Sequence, residues 1–359
     1  MSSGRGTASR PARYVPGSGL SGMRVLWTHN FDPAIPGKGS FMHTAAEAVR
    51  GHGVELHLQY LGNLRSIRQI LRARGRVRRL AQGFDLVHAQ FGSACALVTA
   101  AVADIPKFVT IRGNDWATHD LTRGFLYYHT RVAAALTRLA LKSYDGVIAV
   151  SHRIAAQIGR NAPAAAITVL PSPIDLSLFV PRTKAAARAQ LGLADLSGKW
   201  VLFNSLELHN PIKRFDLARR AFEIAQARRG DLQLRLATNL SHDKVPLFVA
   251  ACDLILCTSE TEGWPNSVKE ALACDVPFVA TDVSDLREIA ARAKSCRVCA
   301  PDAAIIAQNI CEVLEEGAPR DDLRQYVTGM NLEAFSARLI AAYGEVLVKR
   351  RNARAASAH

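Results

Sequence analysis

The chain has 359 residues, more than one ordinary core accommodates, so its length predicts two domains of about 100 to 200 residues each. Although 49% of the residues are apolar, no apolar run approaches the ~20 residues that span a bilayer, which argues against a membrane-spanning helix. The formal net charge of +14 favours an acidic partner, such as nucleic acid, anionic lipid or a phosphorylated substrate.

The first 22 residues are rich in Ser, Gly, Arg and Pro and predict a disordered leader. They lack the apolar middle of a signal peptide, so we expect a cytoplasmic protein. The seven cysteines, mostly within apolar stretches, agree with a reducing compartment. Cys296 and Cys299 have the spacing of half a zinc site, but no second pair or His partner follows at suitable spacing, so a metal is not expected. No cofactor is predicted either.

From Met23 onward, short apolar runs alternate with stretches that can form helices. The first run, Met23–Thr28, is followed by a loop with two glycines, a helix over Phe41–Arg50 and a strand over Val54–Tyr60. Four further runs are typical of strands: Leu86–Ala89, Lys107–Ile111, Gly146–Val150 and Ile167–Leu170. This alternation predicts a parallel sheet with right-handed crossovers.

Between the second and third of these strands lies an arginine-rich segment, Leu64–Leu80, which predicts a basic amphipathic helix. Its basic residues are Arg65, Arg68, Arg72, Arg74, Arg76, Arg78 and Arg79. Apolar residues recur between them at helical spacing, namely Leu64, Ile67, Leu71, Val77 and Leu80. Two interpretations stay open: the helix docks on an anionic membrane, or it presents a solvated basic face above the core.

The pattern breaks at Leu170–Pro173 and again near Pro181, which predicts a linker. A second series follows, with strands over Trp200–Asn204, Leu232–Ala237, Leu254–Thr258 and Val276–Ala280 and helices over Arg214–Arg229 and Asn266–Cys274. We therefore predict Rossmann-like, doubly wound α/β domains over residues 23–180 and 186–334, with a helix over residues 335–350 packing back on the first. Ligands of such sheets bind outside the carboxyl ends of the strands, so the site is predicted in the cleft between the domains.

The loop before the last of these helices carries the strongest prediction of a site. The helix starts near Asn266 or Ser267, so free backbone N–H groups and the positive end of a helix dipole suit a diphosphate. Gly263 would let the backbone approach the ligand, Glu262 could accept hydrogen bonds from sugar hydroxyls, and Glu270 could reach a ribose diol. The alternative is plain helix capping by Asn266 or Ser267, with both glutamates as surface charge.

Glu262 and Glu270, with Gly263 between them and the run Ala271–Thr281 after them, resemble the E-x7-E signature of the family 4 retaining glycosyltransferases. The resemblance implies the GT-B fold, in which two Rossmann-like domains face a central cleft. It also implies that Glu262 contacts the donor sugar, that Glu270 contacts the ribose, and that loop amides hold the phosphates. The further donor-binding residues are then Gly263, Trp264, Asn266, Ser267 and Val268. Trp264 stands where the family usually has a different residue.

A second match lies between the strand ending at Asn204 and the next helix. Lys213 resembles the family's phosphate-binding lysine and could neutralise charge on the leaving nucleotide. Ser205 stands where the family usually has an arginine, and Arg214 is the residue that could compensate. A lysine at a helix start is by itself ordinary surface charge, but this context predicts catalytic roles for Lys213 and Glu262.

The N-terminal half resembles the family more loosely. Gly37 and Gly39 lie in the glycine-rich first loop, which in relatives approaches donor phosphates or acceptor. Arg112 and Asp115 lie in a segment that usually reads His-Gly-x-Asp, so an arginine replaces a histidine near the reacting sugar. Arginine cannot act as a base but can bind phosphate in a bidentate manner. These four residues form the predicted acceptor side of the cleft.

The leading prediction is a metal-independent, retaining glycosyltransferase that uses a UDP- or GDP-linked donor. Its acceptor would be a glycan, a lipid-linked sugar or a small molecule in envelope or exopolysaccharide synthesis, reached in the cytoplasm or at the inner membrane face. Alternatives stay open: a sugar-nucleotide epimerase or a phosphorylase on the same fold, or a basic binding module that has lost catalysis. Under the leading prediction, no nucleic-acid partner and no metal are expected.

Overall fold

The computed structural model describes residues 22–35, 37–113, 115–116, 125–160, 166–193, 197–205, 208–237, 240, 244–315 and 322–356. This part of the chain forms two parallel sheets, each flanked by helices that connect successive strands. Apart from Gly22, the predicted leader lies outside the described residues.

The N-terminal sheet has six parallel strands in the order β2-β1-β3-β4-β5-β6. The strands are β1 (Arg24–His29), β2 (Glu55–Tyr60), β3 (Leu86–Ala89), β4 (Lys107–Ile111), β5 (Gly146–Ala149) and β6 (Ala166–Val169). The connecting helices are α1 (Ser40–Gly51), α2 (Ile67–Ala81), α3 (Ser93–Ala100), α4 (Phe125–Leu141) and α5 (His152–Gly159). The strand order reverses between β1 and β3, which creates a switch point at their carboxyl ends.

The C-terminal sheet has five parallel strands in the order β11-β10-β9-β7-β8. The strands are β7 (Lys199–Phe203), β8 (Leu232–Leu236), β9 (Leu254–Cys257), β10 (Phe278–Thr281) and β11 (Arg297–Cys299). The helices are α6 (Lys184–Gln190), α7 (Phe215–Arg229), α8 (Val245–Ala251), α9 (Asn266–Ala273), α10 (Leu286–Ala290), α11 (Ala303–Glu315) and α12 (Leu332–Ala356). The switch point of this sheet lies between β7 and β9.

The individually predicted strands and helices are confirmed, with ends that differ by a few residues for local reasons. The basic helix starts at Ile67 rather than Leu64 because Ser66 and Gln69 form a capping box. Helix α7 starts at Phe215 because Arg214 adopts a left-handed conformation, with φ of 54°.

The last helix, α12, packs against the N-terminal sheet rather than the C-terminal one. Its buried residues Phe335, Leu339 and Tyr343 share a core with β1 and α1. Trp27 donates its indole N–H to the Tyr343 hydroxyl at 3.0 Å, so even the polar atoms of this core are bonded across it. The chain therefore crosses twice between the sheets, once after β6 and once before α12.

Candidate active site

Two loops at the switch point of the C-terminal sheet bring Lys213 and Glu262 together. The Lys213 ammonium donates to Glu262 Oε1 at 2.5 Å, and Ser259 Oγ donates to the same oxygen at 2.7 Å. Thr258, directly after β9, donates its hydroxyl to the Lys213 carbonyl at 2.9 Å and thereby fixes the loop that carries the lysine. The two residues predicted to act in catalysis therefore form one ion pair.

The ion pair is only partly shielded from solvent, since 32% of the Lys213 side chain and 14% of the Glu262 side chain are exposed. Burial alone would lower the pKa of Lys213, but the neighbouring Glu262 carboxylate raises it above its ordinary value. The ammonium is thus charged at neutral pH and can be reached by an anionic ligand.

Helix α9 begins beside this pair with a free N-terminus. Its N-cap residue is Pro265, and no side chain caps the first turn. The alternative of capping by Asn266 or Ser267 is therefore wrong, because both lie inside the helix. The first-turn N–H groups and the helix dipole suit an anion at this end.

Val268 can contribute to donor binding only through its backbone. Its side chain is fully buried in the core beneath α9, so its N–H group in the uncapped first turn is the part that the predicted phosphate contact would use. The apolar spacing of Val268, Ala271 and Leu272 in the helix explains this position.

Glu270 lies on the second turn of α9 and reaches back to β7. Asn204, directly after β7, donates its side-chain amide to Glu270 Oε2 at 3.3 Å. Burial raises the pKa of Glu270 to about 7, an effect that the neighbouring Lys269 opposes. The carboxyl group therefore changes its charge close to neutral pH.

Gly263 is required by a contact that the sequence did not indicate. A Cβ atom at Gly263 would lie 2.0 Å from the carbonyl oxygen of Arg112, at the end of β4. A Cβ atom at Gly113, where φ is +112°, would lie 2.7 Å from the Gly263 nitrogen. From the sequence we expected Gly263 to allow close approach to a ligand. In the structure it allows backbone-to-backbone contact between the carboxyl edges of the two sheets.

Trp264 and its neighbour Lys269 are buried rather than open to the cleft. The Lys269 ammonium lies 5.4 Å from the centre of the Trp264 ring and donates to the carbonyl of Ser172, in the segment after β6. Sequence reasoning missed Lys269. The only signal was its position next to the apolar stripe of α9, where a lysine ordinarily reaches solvent.

The N-terminal edge holds Arg112 in a network of hydrogen bonds. Its guanidinium donates to the Gln90 carbonyl at 2.9 Å, to Gln90 Oε1 at 3.1 Å and to Ser172 Oγ at 2.7 Å. It also lies over the Phe41 ring at 4.4 Å. Arg112 thus lies at the predicted edge, but its guanidinium N–H groups donate largely to protein atoms.

Asp115 needs a correction as a predicted acceptor residue. Its carboxylate is fully buried and accepts from three backbone N–H groups, those of Gly92 at 2.7 Å, Arg112 at 2.9 Å and Gly113 at 2.9 Å. Burial raises its pKa, and backbone hydrogen bonds, among them those from Gly92 and Arg112, oppose the rise. Asp115 therefore braces the turn after β4.

The remaining predicted residues lie at the same edges. Gly37 and Gly39 have φ values of 75° and 79° in the loop after β1, and a Cβ at Gly39 would meet Phe31 at 2.8 Å. Ser205 is buried two residues after β7, and Arg214 is half-buried directly before α7. Among the residues that the structure describes, no group of three or more His, Cys, Asp or Glu side chains could hold a metal ion.

The basic helix exposes two of the apolar residues that the sequence pattern placed on its apolar side. Ile67 is 76% exposed and Leu71 is 57% exposed, whereas Ala73, Val77 and Ala81 form the buried stripe. All seven arginines of the segment are exposed, and α2 contains no acidic residue. Within the described ranges, no helix is both long enough and apolar enough to cross a bilayer.

Two facing doubly wound sheets, with an uncapped helix N-terminus and a lysine at the switch point, have the architecture called GT-B. Residues 25–178 match the family described as Glycosyltransferase Family 4, and residues 217–330 match Glycosyl transferases group 1. The chain therefore belongs to the family 4 glycosyltransferases of the GT-B fold, as its E-x7-E resemblance predicted.

Relatives and solved structures agree with this assignment. The chain is 28% identical over 225 residues to a protein described as a teichuronic acid biosynthesis glycosyltransferase, TuaC of Bacillus subtilis, covering 57% of this chain and 55% of the relative. It spans little more than half the length of the curated relatives it matches.

Similarity to solved structures covers nearly the whole chain. Sucrose-phosphate synthase from Thermosynechococcus elongatus aligns with a TM-score of 0.75 at 15% identity, covering 91% of this chain and all of that one. HepE of Anabaena in complex with UDP-glucose aligns with a TM-score of 0.62 at 18% identity, covering 92% of this chain and all of that one. At such identities the likeness confirms the GT-B fold.

Proposed function

We propose that this chain transfers a sugar, with retention of its anomeric configuration, from a UDP- or GDP-linked donor to an acceptor hydroxyl. The observation that carries the proposal is the Lys213–Glu262 pair beside the uncapped N-terminus of α9. Membership of a glycosyltransferase family supports the reaction class. HepE, which has the same fold, is described in complex with UDP-glucose, which makes UDP-linked sugars the first donors to test.

In the proposed reaction the diphosphate lies at the N-terminus of α9 and near Lys213. When the bond between the anomeric carbon and the leaving oxygen breaks, negative charge grows on the diphosphate, where the helix end and the ammonium stabilise it. The acceptor oxygen bonds to the same face of the anomeric carbon, and its proton leaves with the nucleoside diphosphate. Glu262 would hold sugar hydroxyls, and Glu270 would hold the ribose diol.

Donor binding also explains why Lys213 and Glu262 are paired. Without donor, Glu262 keeps the ammonium neutralised and in position. An arriving diphosphate offers Lys213 a second anion, which frees lone pairs of Glu262 for the hydroxyl groups of the sugar. The pair is therefore a preorganised site whose partners are exchanged on binding.

The donor is identified by measuring binding and release of nucleotide. In calorimetry we expect UDP or GDP to bind. When acceptor glycosides are added, the sugar nucleotide with the same base should be converted, with release of the free nucleoside diphosphate. Glu262→Gln should lose release, whereas Lys294→Ala, exposed before β11 at the opposite edge of the sheet, should behave like the wild type. Binding of neither nucleotide, or equal release by Glu262→Gln, would contradict the proposal.

We further propose that the acceptor is lipid-linked and that α2 docks on the anionic membrane that holds it. The seven exposed arginines attract anionic headgroups, and Ile67 and Leu71 can enter the interface. Helix α4, on the other side of α3, adds exposed Tyr128 and Val132 in its first half. Both helices begin at the carboxyl edge of their sheet, so docking would bring an envelope acceptor to the cleft.

Vesicle co-sedimentation tests this docking. We expect salt-sensitive binding to phosphatidylglycerol vesicles and weak binding to phosphatidylcholine vesicles, because each basic residue contributes about 1 kcal/mol near an anionic surface. Replacing Arg72, Arg76 and Arg79 with Gln should weaken binding without changing nucleotide affinity. Replacing Arg219, Arg220 and Arg228 on α7 is the matched control. Equally poor binding to both vesicles would make a soluble acceptor the better proposal.

A further inference from the structure

Lys269 is a buried cation with an unusual set of partners. Its side chain is 1% exposed, yet in the described part of the chain it forms no ion pair. Instead the ammonium donates to the backbone carbonyl of Ser172 and to Asn266 Oδ1 at 3.2 Å, over the face of Trp264. A buried charge without a carboxylate partner is costly, so these bonds must compensate for the lost water.

The bond from Lys269 to Ser172 joins the two halves of the molecule. Lys269 belongs to α9 of the C-terminal sheet, whereas Ser172 lies in the segment that leaves β6 of the N-terminal sheet. The hydroxyl of the same Ser172 accepts from Arg112, at the end of β4. Ser172 thus accepts hydrogen bonds from a lysine of the C-terminal sheet and an arginine of the N-terminal sheet. Both bonds lie next to the backbone contact of Gly113 with Gly263.

Lys269 also precedes Glu270, so its position and charge bear directly on that carboxyl group. Burial lowers the pKa of Lys269 to about 7, an effect that the Glu270 carboxylate opposes and Arg112 reinforces, and Lys269 in turn favours the ionised form of Glu270. Loss of Lys269 would therefore release α9 from Ser172 and also make Glu270 harder to ionise.

We propose that Lys269 is a positioning residue for donor binding, which holds α9 and Glu270 against the interdomain segment at Ser172 so that the two sheet edges meet around the nucleotide. This inference rests on the proposed function for the identity of the nucleotide. The bond across the sheets, however, can be tested without it.

The chain offers a matched control in Lys107. That lysine is also buried and donates its ammonium to a backbone carbonyl, that of Val102 at 3.0 Å. It lies at the start of β4, at the opposite edge of the sheet, and its bond stays within one domain. Lys107→Met therefore removes the same kind of bond with no expected effect on the donor site.

The experiment compares Lys269→Met, Lys269→Arg and Lys107→Met in the full chain. Calorimetry with UDP and GDP should show that Lys269→Met weakens nucleotide binding about tenfold, with a larger loss at pH 6 than at pH 8, and that Lys269→Arg restores part of it. Lys107→Met should lower the melting temperature but leave nucleotide affinity unchanged. Equal affinity of Lys269→Met and wild type, or equal losses in both methionine variants, would overturn the proposal.

Hydrogen exchange separates this inference from the proposed function. In nucleotide-free protein, Lys269→Met should speed exchange at residues 110–113 and 260–265, which form the contact between the edges, whereas Lys107→Met should not. If wild type binds neither UDP nor GDP, the proposed function fails, and the exchange result alone decides whether Lys269 holds the edges together. Unchanged exchange at both segments would refute that role.

Discussion

The carboxyl edges of the two sheets carry similar charged residues but use them in opposite ways. At the N-terminal edge, Asp115 and Arg112 are occupied by backbone and side-chain atoms of their own domain and the adjoining segment. At the C-terminal edge, Lys213 and Glu262 are partly exposed and bonded mainly to each other. A charge at a strand end thus predicts nearness to the cleft, and its existing partners determine whether it can bind a ligand.

The largest difference between the edges should appear in stability. Asp115→Ala leaves three buried N–H groups without an acceptor, so we expect a loss of roughly 3 to 6 kcal/mol in the free energy of unfolding. Urea denaturation measures it, and Asp115→Asn, which keeps one acceptor oxygen, should lose less. The free energy of unfolding of Glu262→Gln should lie within about 1 kcal/mol of the wild-type value, because the ion pair it breaks is partly exposed. Similar losses of unfolding free energy for Asp115→Ala and Glu262→Gln would show that the two edges do not differ in this way.

The C-terminal edge should show the larger effect on catalysis. Lys213→Ala removes the cation that we propose stabilises the departing diphosphate, so kcat should fall a hundred- to thousandfold, roughly 3 to 4 kcal/mol of barrier. Steady-state kinetics with the donor identified above, at equal fractions of folded protein, checks this. Wild-type turnover by correctly folded Lys213→Ala would move the chemistry away from this edge.

The contact between the edges can be disturbed by a single methyl group. Gly263→Ala would bring a Cβ within 2.0 Å of the Arg112 carbonyl oxygen, so the edges must separate, at a cost of roughly 1 to 3 kcal/mol. We expect a lower kcat and a larger radius of gyration in X-ray scattering. Gly329→Ala, where a Cβ would meet nothing within 4 Å, is the control. An unchanged radius and rate would show that the edges do not need this contact.

The sequence predicted the two-sheet fold well because that fold depends on local patterns. Strand, loop and helix follow each other regularly, and Lys213, Glu262 and Glu270 stand at fixed positions on those elements. Two partners could not be predicted, Gly92 for Asp115 and Ser172 for Lys269, since each lies in a distant loop that only the fold brings near.

Helix α2 shows the same limit of local patterns. Its spacing predicted an amphipathic helix but not its rotation, which left Ile67 and Leu71 exposed and put Ala73 and Val77 in the core. The rotation depends on how the helix packs against its sheet and α3, which helical periodicity alone does not contain.

A weaker effect at the C-terminal edge is a pH dependence through Glu270. Its folded pKa of about 7 exceeds the ordinary 4.5, so between these values the folded state binds the proton more tightly than the unfolded chain, and stability from this group falls as pH rises. Glu270→Gln should therefore gain stability over wild type at pH 8 but not at pH 4.5. Nucleotide affinity of wild type should fall as pH drops through 7, by up to about tenfold per unit.

Glu270→Gln also serves as the control for the nucleotide itself, whose phosphates titrate as well. In this variant the affinity for the nucleotide should be lower at pH 8 and should lose the part of the pH dependence that comes from the carboxylate. Parallel pH profiles for Glu270→Gln and wild type would assign the titration to another group.

The smallest expected effect is that of chelation, and it follows from where the C-terminal edge keeps its positive charge. The α9 N-terminus and the Lys213 ammonium are permanent parts of the protein, so under the proposed mechanism they compensate charge on the departing diphosphate without a cation brought by the nucleotide. Transfer measured in EDTA should therefore equal transfer without it, and added Mg²⁺ or Mn²⁺ should not raise kcat. Full loss in EDTA that Mn²⁺ restores would mean that Lys213 and the helix end are insufficient, and that donor binding at this edge depends on a metal-bound nucleotide.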